Sequence, residues 1–482
     1  MKYKVIGFVI LFVCTFHQTN AITTVNPLDY GLNQAETGFQ RYAVLLRCHE
    51  DAIAHGYGVN YQGIDSIDID IPTNPSGIPL SYFTDFGGVK ISVKNCSNSF
   101  FLFRLSNELN PIQVIGTDID EGNFTSYKSL SNGMKMLVLE DETPWVNRRI
   151  GYNEIATRRD LLILKDGFSL NKPISSYSTL TTRIKSNYCN INEREIIIKN
   201  LTFIRDASSK YKTYLLRAQN QYKVNISDIN VYTPSDDEKY GDAIILMINC
   251  AKVKLNDICF YGTYSQERKH GYGVNLDNIY DLEVNRMYAR SKWGIFGTNN
   301  LQNVTLNDCD INRFDIHCYG RDVKAVNCKF SGLYNQFSSI YGKIEFEKCE
   351  FTNFIPILIE SSYNAYTPFE LSWKNCKFYL DKNHNYLMTL FGVPEAYNER
   401  PELRRKCLPN ISVVKCKVFL DDDLDKWYLI HTGGVKYEDS FDYIKNIKMR
   451  NIRVKGSKGA KFELSTEQLR TTNKLKIVTK IK

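Results

Sequence analysis

Chemistry-bearing side chains crowd into one stretch of this sequence. Lys269, His270 and Tyr272 come first, Arg290, Lys292 and Trp293 follow about one repeat later, and Arg313, Asp315 and His317 come one repeat after that. An arginine fork or a lysine ammonium neutralises a carboxylate. Histidine and tyrosine exchange protons near neutral pH when they are held against a reacting group. The set suits β-elimination from an acidic sugar. Arg290 or Lys292 would neutralise a uronate carboxylate and stabilise the developing enolate. His270 or His317 would take the adjacent proton, and Tyr272 would return one to the leaving oxygen. Lys269, Trp293, Arg313, Asp315, Phe296 and Asn275 would line the substrate, with Asp315 also orienting His317. A bare basic turn on a solvated coil is the competing reading.

These residues act together only if the chain stacks them, and the sequence carries a stacking signal. Short alternating strands end in Asn, Asp or Lys followed by Cys: VKISVKNC at Cys96, VTLNDC at Cys309, VKAVNC at Cys328, KIEFEKC at Cys349, ELSWKNC at Cys376 and ISVVKC at Cys416. Cys309 and Cys328 are 19 residues apart, and Cys328 and Cys349 are 21 apart. A recurrent strand pattern with a period near 20 predicts a solenoid with one coil per repeat. No coil buries its apolar face alone, so stacking makes the core. Like positions then lie about 4.8 Å apart. Taking Val274, Ile295 and Ile316 as equivalent inward residues, alternation puts Asn275, Phe296 and His317 in one outward column and Gly273, Gly294 and Asp315 in the next. The string HGYGVN occurs at His55–Asn60 and again at His270–Asn275; the first copy falls where a helix ends.

The repeats, together with an amphipathic segment at Gln40–Ala54 followed by a strand at Ile64–Pro72, resemble the pectin-lyase-like superfamily. The resemblance covers residues 40–455. It implies an all-β, single-stranded right-handed parallel β-helix with an N-terminal capping helix, acting on polysaccharide. The polygalacturonase branch carries NTD, DD, GHG and RIK motifs. No matching set occurs here, and Lys269-His270-Gly271-Tyr272-Gly273 breaks the GHG pattern. The calcium carboxylates and arginine signature of the pectate-lyase branch are also missing, so no family catalytic residue is carried over. The fold hosts hydrolases and adhesins as well. A hydrolase would need a carboxylate pair about 5 to 9.5 Å apart, and Asp308, Asp310, Asp315 and Asp322 are the candidates. A non-catalytic glycan-binding solenoid is the third reading.

The remaining features set the surroundings. Lys2, Lys4 and the apolar run to Phe16 read as a signal peptide cleaved near Ala21, which predicts export to the periplasm or the outside of the cell. No later apolar stretch approaches spanning length, so no stable membrane insertion is expected. Residues 22–62 are expected to form the N-terminal cap and 63–455 the coils. Residues 107–172 read as coils carrying long loops, and 456–482 as a C-terminal cap or tail. The formal charge of +8, about +6 once Lys2 and Lys4 leave with the signal segment, fits an acidic polysaccharide better than nucleic acid on an exported chain. Of the 13 cysteines, twelve remain after the signal segment, and most read as buried free thiols in a recurring strand context, with no CxxC pair for zinc. No cofactor is expected. Calcium is left open by Asp421-Asp422-Asp423-Leu424-Asp425, which lacks the spacing and glycine of a calcium loop and reads as a solvated turn.

Overall fold

The computed structural model describes residues 22–73, 77–94, 100–141, 147–149, 152–155, 158–174, 176–177, 184–205, 213–232, 244–261, 272–290, 294–338, 340–360, 369–391, 406–407, 409–433, 441–442, 446–457, 459–466 and 476–481. The signal-peptide expectation at 1–21 and the candidates Lys269, His270, Lys292 and Trp293 lie outside the described residues.

The chain winds as stacked coils of parallel strands. One inward column shows how the core is built. Ile196, Val224, Val253, Leu282, Val304, Val323, Ile344, Leu371, Ile411 and Ile447 pair in succession across nine steps of the stack. Every member lies in or packs against one continuous apolar core. Alternation along each strand puts these aliphatic side chains inside and their polar neighbours outside.

Corners explain the Asn/Asp/Lys–Cys signature. The residue before each corner cysteine is left-handed: Asp308 (φ 54), Asn327 (φ 55), Lys348 (φ 57), Asn375 (φ 57) and Lys415 (φ 57). Asn and Asp tolerate this region better than other side chains with a Cβ. The following Cys309, Cys328, Cys349, Cys376 and Cys416 turn inward, and all are buried free thiols. Asparagines form a ladder along a second line: Asn225, Asn256, Asn285 and Asn307 are joined by side-chain hydrogen bonds of 3.0, 2.7 and 2.8 Å. Coil length is less regular than the cysteine spacing predicts. Ladder partners are 31, 29 and 22 residues apart here, and 19 apart at Asp308–Asn327. Extra residues are accommodated between the strands, so they leave the register intact.

The first coil is covered by helix α1, Gly38–His55, as expected. Thr37 and Gln40 form a reciprocal capping box, and Gly56 ends the helix at φ 68, a backbone that favours glycine. Its apolar face buries Leu45, Cys48 and Ala52, which shields core that an open solenoid end would expose.

Residues 107–172 do not follow the expected pattern. Strands at Asn110–Ile112, Met134–Asp141, Arg158–Lys165, Phe168–Ser169 and Ile184–Asn190 form a five-stranded antiparallel sheet. MKMLVLED and RRDLLILK are near-continuous apolar runs because the sheet is covered on both sides. One side builds its own core from Leu137, Leu139, Leu162, Leu164, Phe124 and Tyr177. The other packs Met136, Val138, Leu161, Ile163 and Cys189 onto Tyr222 and Ala251 of the coils. At the C-terminus, Lys461–Ser465 and Lys476–Ile481 pair with Lys426–Gly433 and Asn446–Gly456, so the tail continues the stack.

Candidate active site

The strand at Val274–Asn285 is followed one coil later by Phe296–Asn307, then by Asp315–Ile316 and Tyr334–Phe337. Val274, Ile295 and Ile316 all face the interior, as expected. The pairing is nonetheless offset by one residue: Val274 lies against Phe296, and Asn275 against Gly297. This corrects the expected outward column of Asn275, Phe296 and His317: Phe296 is fully buried in the core, and His317 is buried as well. Ile295 and Phe296 are both inside because the chain turns into the strand there, which breaks simple alternation. Asn275 is half-buried beside Gly297.

The shift leaves Gly297 beneath Tyr272. A Cβ on Gly297 would stand 2.0 Å from the Tyr272 ring. The ring therefore lies flat over the next coil and reaches the one after it, where its hydroxyl is 2.9 Å from His317 Nε2. Gly294 serves Arg313 in the same way, since a Cβ there would meet Arg313 Nε at 2.6 Å. Arg313 is buried and bound to the carboxylate of Asp315, with Nε to Oδ2 at 2.6 Å. The guanidinium carbon is 5.7 Å from the Tyr272 ring centre and 4.6 Å from that of Tyr334. Asp315 and the two rings push the Arg313 pKa still higher against the opposing effect of burial.

Four expected residues thus converge: Tyr272, Arg313, Asp315 and His317. Their roles differ from those expected. Arg313 and Asp315 form an internal ion pair that props the cluster rather than a surface that contacts ligand. Asp315 Oδ2 is 3.8 Å from His317 Nε2, too far for a direct hydrogen bond. Arg290 does not join them. It stands on another side of the coil, next to the strand Tyr288–Ala289, and grips Asp310 of the following coil with Nε and Nη2. The register that stacks the coils set a carboxylate opposite it. Supporting residues that the sequence did not flag are Tyr334, Asn312 and Asn335. Asn312 Oδ1 accepts from Ile295 N at 2.9 Å, and Asn335 Oδ1 accepts from Phe314 N at 2.9 Å. Both pin the turns that carry Arg313. Their signal, an Asn about one repeat apart at each turn, is visible only once register is known.

The antiparallel sheet abuts the same side of the coils. Arg159 Nη1 donates to Asp277 Oδ2 at 2.6 Å, and its backbone N–H donates to Asn300 Oδ1 at 2.9 Å. Deeper in, the buried Asp160 accepts from Tyr177 Oη at 2.7 Å, Gln302 Nε2 at 2.9 Å and Ile174 N at 2.6 Å. Burial pushes its carboxyl up to about 6, against the pull of Arg158 and these donors. Two open grooves of about 490 and 330 Å³ lie elsewhere, around Asn200 and around Lys252. Neither contains a histidine or tyrosine.

No protein-family profile matches the chain, and no curated protein is detectably similar to it in sequence. Solved structures resemble it in fold. The tailspike protein gp49 from Pseudomonas phage LKA1 superposes with a TM-score of 0.61 at 13% identity, covering 94% of this chain and 78% of that one. The Gp54 tailspike of Acinetobacter baumannii bacteriophage AP22, solved in complex with A. baumannii capsular saccharide, gives 0.51 at 10% identity, covering 94% and 79%. The chain has the right-handed parallel β-helix fold of these tailspike proteins. The likeness is of coil architecture, with sequence identity too low to carry over any residue of the Tyr272 cluster. None of the described helices of this β-helix is long and apolar enough to cross a membrane.

Proposed function

We propose that this β-helix is a secreted lyase that cleaves an acidic polysaccharide by β-elimination, with Tyr272 and His317 as its proton-transfer pair. The observation that carries the reading is the 2.9 Å contact between Tyr272 Oη and His317 Nε2 beside the Arg313 guanidinium. His317 takes the phenolic proton. The tyrosinate then removes the proton next to the uronate carboxylate, and the electron pair moves to form a C=C bond as the glycosidic C–O bond breaks. The imidazolium returns its proton to the leaving oxygen. Lys269 and Lys292, close in sequence to Tyr272 and Gly294, are the cations for the substrate carboxylate. His270 is the alternative base.

Hydrolysis is less well served on this face. Among the described residues, Asp315 is bound to Arg313 and Asp277 to Arg159, so neither is placed as a free acid or base. The saccharide held by the AP22 tailspike supports a glycan as ligand, and the formal charge of +8 supports an acidic one. The test is incubation with a panel of acidic and neutral glycans. Ultraviolet absorbance of an unsaturated uronate supports elimination. New reducing ends without that absorbance would assign hydrolysis instead, and binding without either would assign a non-catalytic solenoid.

A further inference from the structure

Outward charges on the middle coils follow a rule. Each coil sets a cation against a carboxylate of its neighbour: Arg286 with Asp257, Arg290 with Asp310, Lys374 with Glu347 at 2.9 Å and Lys377 with Glu350 at 3.1 Å. Such pairs add little stability each, but they cancel the like-charge repulsion that a strict ladder would otherwise build up.

The rule breaks along one side of the last two coils, although Lys426 still pairs with Glu463 on another side. Lys417 pairs in register with Arg453, Phe419 with Lys455, Val414 with Arg450 and Ser412 with Lys448. Lys448, Arg450, Arg453 and Lys455 are exposed, and so is Lys415 at the corner between the two faces. None of these cations meets a carboxylate among the described residues. Lys448, Arg450, Arg453 and Lys455 follow one another on the strand Asn446–Gly456, with Lys417 on the neighbouring strand about 4.8 Å away, and they flank a corner fixed by left-handed Lys415 and Asn451. Unpaired like charges held this close are a cost to folding, so their retention points outward to an anionic partner.

We propose that this C-terminal corner docks a linear anionic polysaccharide, apart from the Tyr272 site. Cations on two faces meeting at a ridge suit a flexible chain that carries a charge on each sugar. The ring pair Tyr379–Phe419, stacked at 4.8 Å with Lys455 Nζ 5.9 Å from the Phe419 ring centre, adds an apolar step beside the charges. The C–H face of a sugar covers such a step, whereas a phosphodiester backbone leaves it bare. The inference goes beyond the lyase reading and does not depend on it, because binding is read without turnover.

The full chain is titrated at low salt into fluorescein-labelled polygalacturonate, heparin and duplex DNA of matched length, with anisotropy as the readout. Wild type binds one or both polysaccharides more tightly than DNA; polygalacturonate and heparin separate a carboxylate from a sulfate ligand. The double variants Lys448→Ser with Arg450→Ser, and Arg453→Ser with Lys455→Ser, each weaken binding roughly thirtyfold, from two cations at about 1 kcal/mol each on an anionic surface. Lys374→Ser, which removes a paired cation, leaves affinity unchanged. Thermal melts confirm that the surface variants fold. Doubles that bind like wild type, or tighter binding to DNA than to either polysaccharide, overturn the proposal.

Discussion

Tyr272 and His317 are 45 residues apart in sequence and 2.9 Å apart in space. The contact skips a coil, because the tyrosine ring crosses over Gly297 to reach it. Tyr272→Phe removes the hydroxyl and leaves the ring on its glycine seat. Elimination activity is expected to fall by roughly 10² to 10⁴-fold, the usual worth of a positioned proton-transfer group. The melting temperature should stay near wild type. Activity at wild-type level would take Tyr272 out of the chemistry.

The glycine seat can be tested by itself. Gly297→Ala puts a methyl group 2.0 Å from the Tyr272 ring, so the ring must swing off the coil and away from His317. Activity should drop about as far as in Tyr272→Phe, roughly 10²-fold or more, although no reactive group has been changed. A structure of the variant with the Tyr272–His317 contact intact would contradict this account.

Asp160 makes the docking of the antiparallel sheet pH-dependent. Burial raises its folded pKa to about 6 from the ordinary 3.8. Between those two values the folded state holds a proton that the unfolded chain has released, so stability falls as pH rises through this window. The penalty is fully present above about 6 and absent once both states are protonated. Arg158, Asp141, Tyr177 and Arg321 also face or surround this group. Asp160→Asn keeps the amide-sized group and removes the titration. Thermal melts across the acid range should show a flatter slope for the variant, and identical slopes would exclude Asp160 as the source.

Corner chemistry yields a stability prediction. Asn327 sits at φ 55 and donates from Nδ2 to Asp308 Oδ1. Asn327→Val places a β-branched residue in the left-handed region and loses that bond, so unfolding should become easier by about 1–2 kcal/mol. Chemical denaturation measures the change. No loss of stability would mean that the corner relaxes to another backbone.

The coils were legible because their causes are local. Alternation in VTLNDC and VKAVNC sets which side chains turn in, and Asn or Asp before Cys marks a left-handed corner. The capping helix was legible from its apolar face and from the glycine at its end. The sheet within 107–191 was not, because its strands are covered on both sides and lose the alternation that marks a half-buried strand. Phe296 was misplaced for a related reason: neighbouring coils are offset by one residue there, and Ile295 and Phe296 both face inward where the chain turns into the strand.

By itself, the sequence determined that this chain stacks as coils with thiols at the corners and a helix over the first coil. It also determined that tyrosine, histidine and cations recur at about one coil's interval. Only the tertiary structure decided which of them meet. It tied Arg290 to Asp310, buried Arg313 against Asp315, and laid Tyr272 across Gly297 to His317. Periodicity specifies a repeat to within a residue or so, whereas a contact of 2.9 Å requires the register itself, and that is set by how neighbouring coils pack.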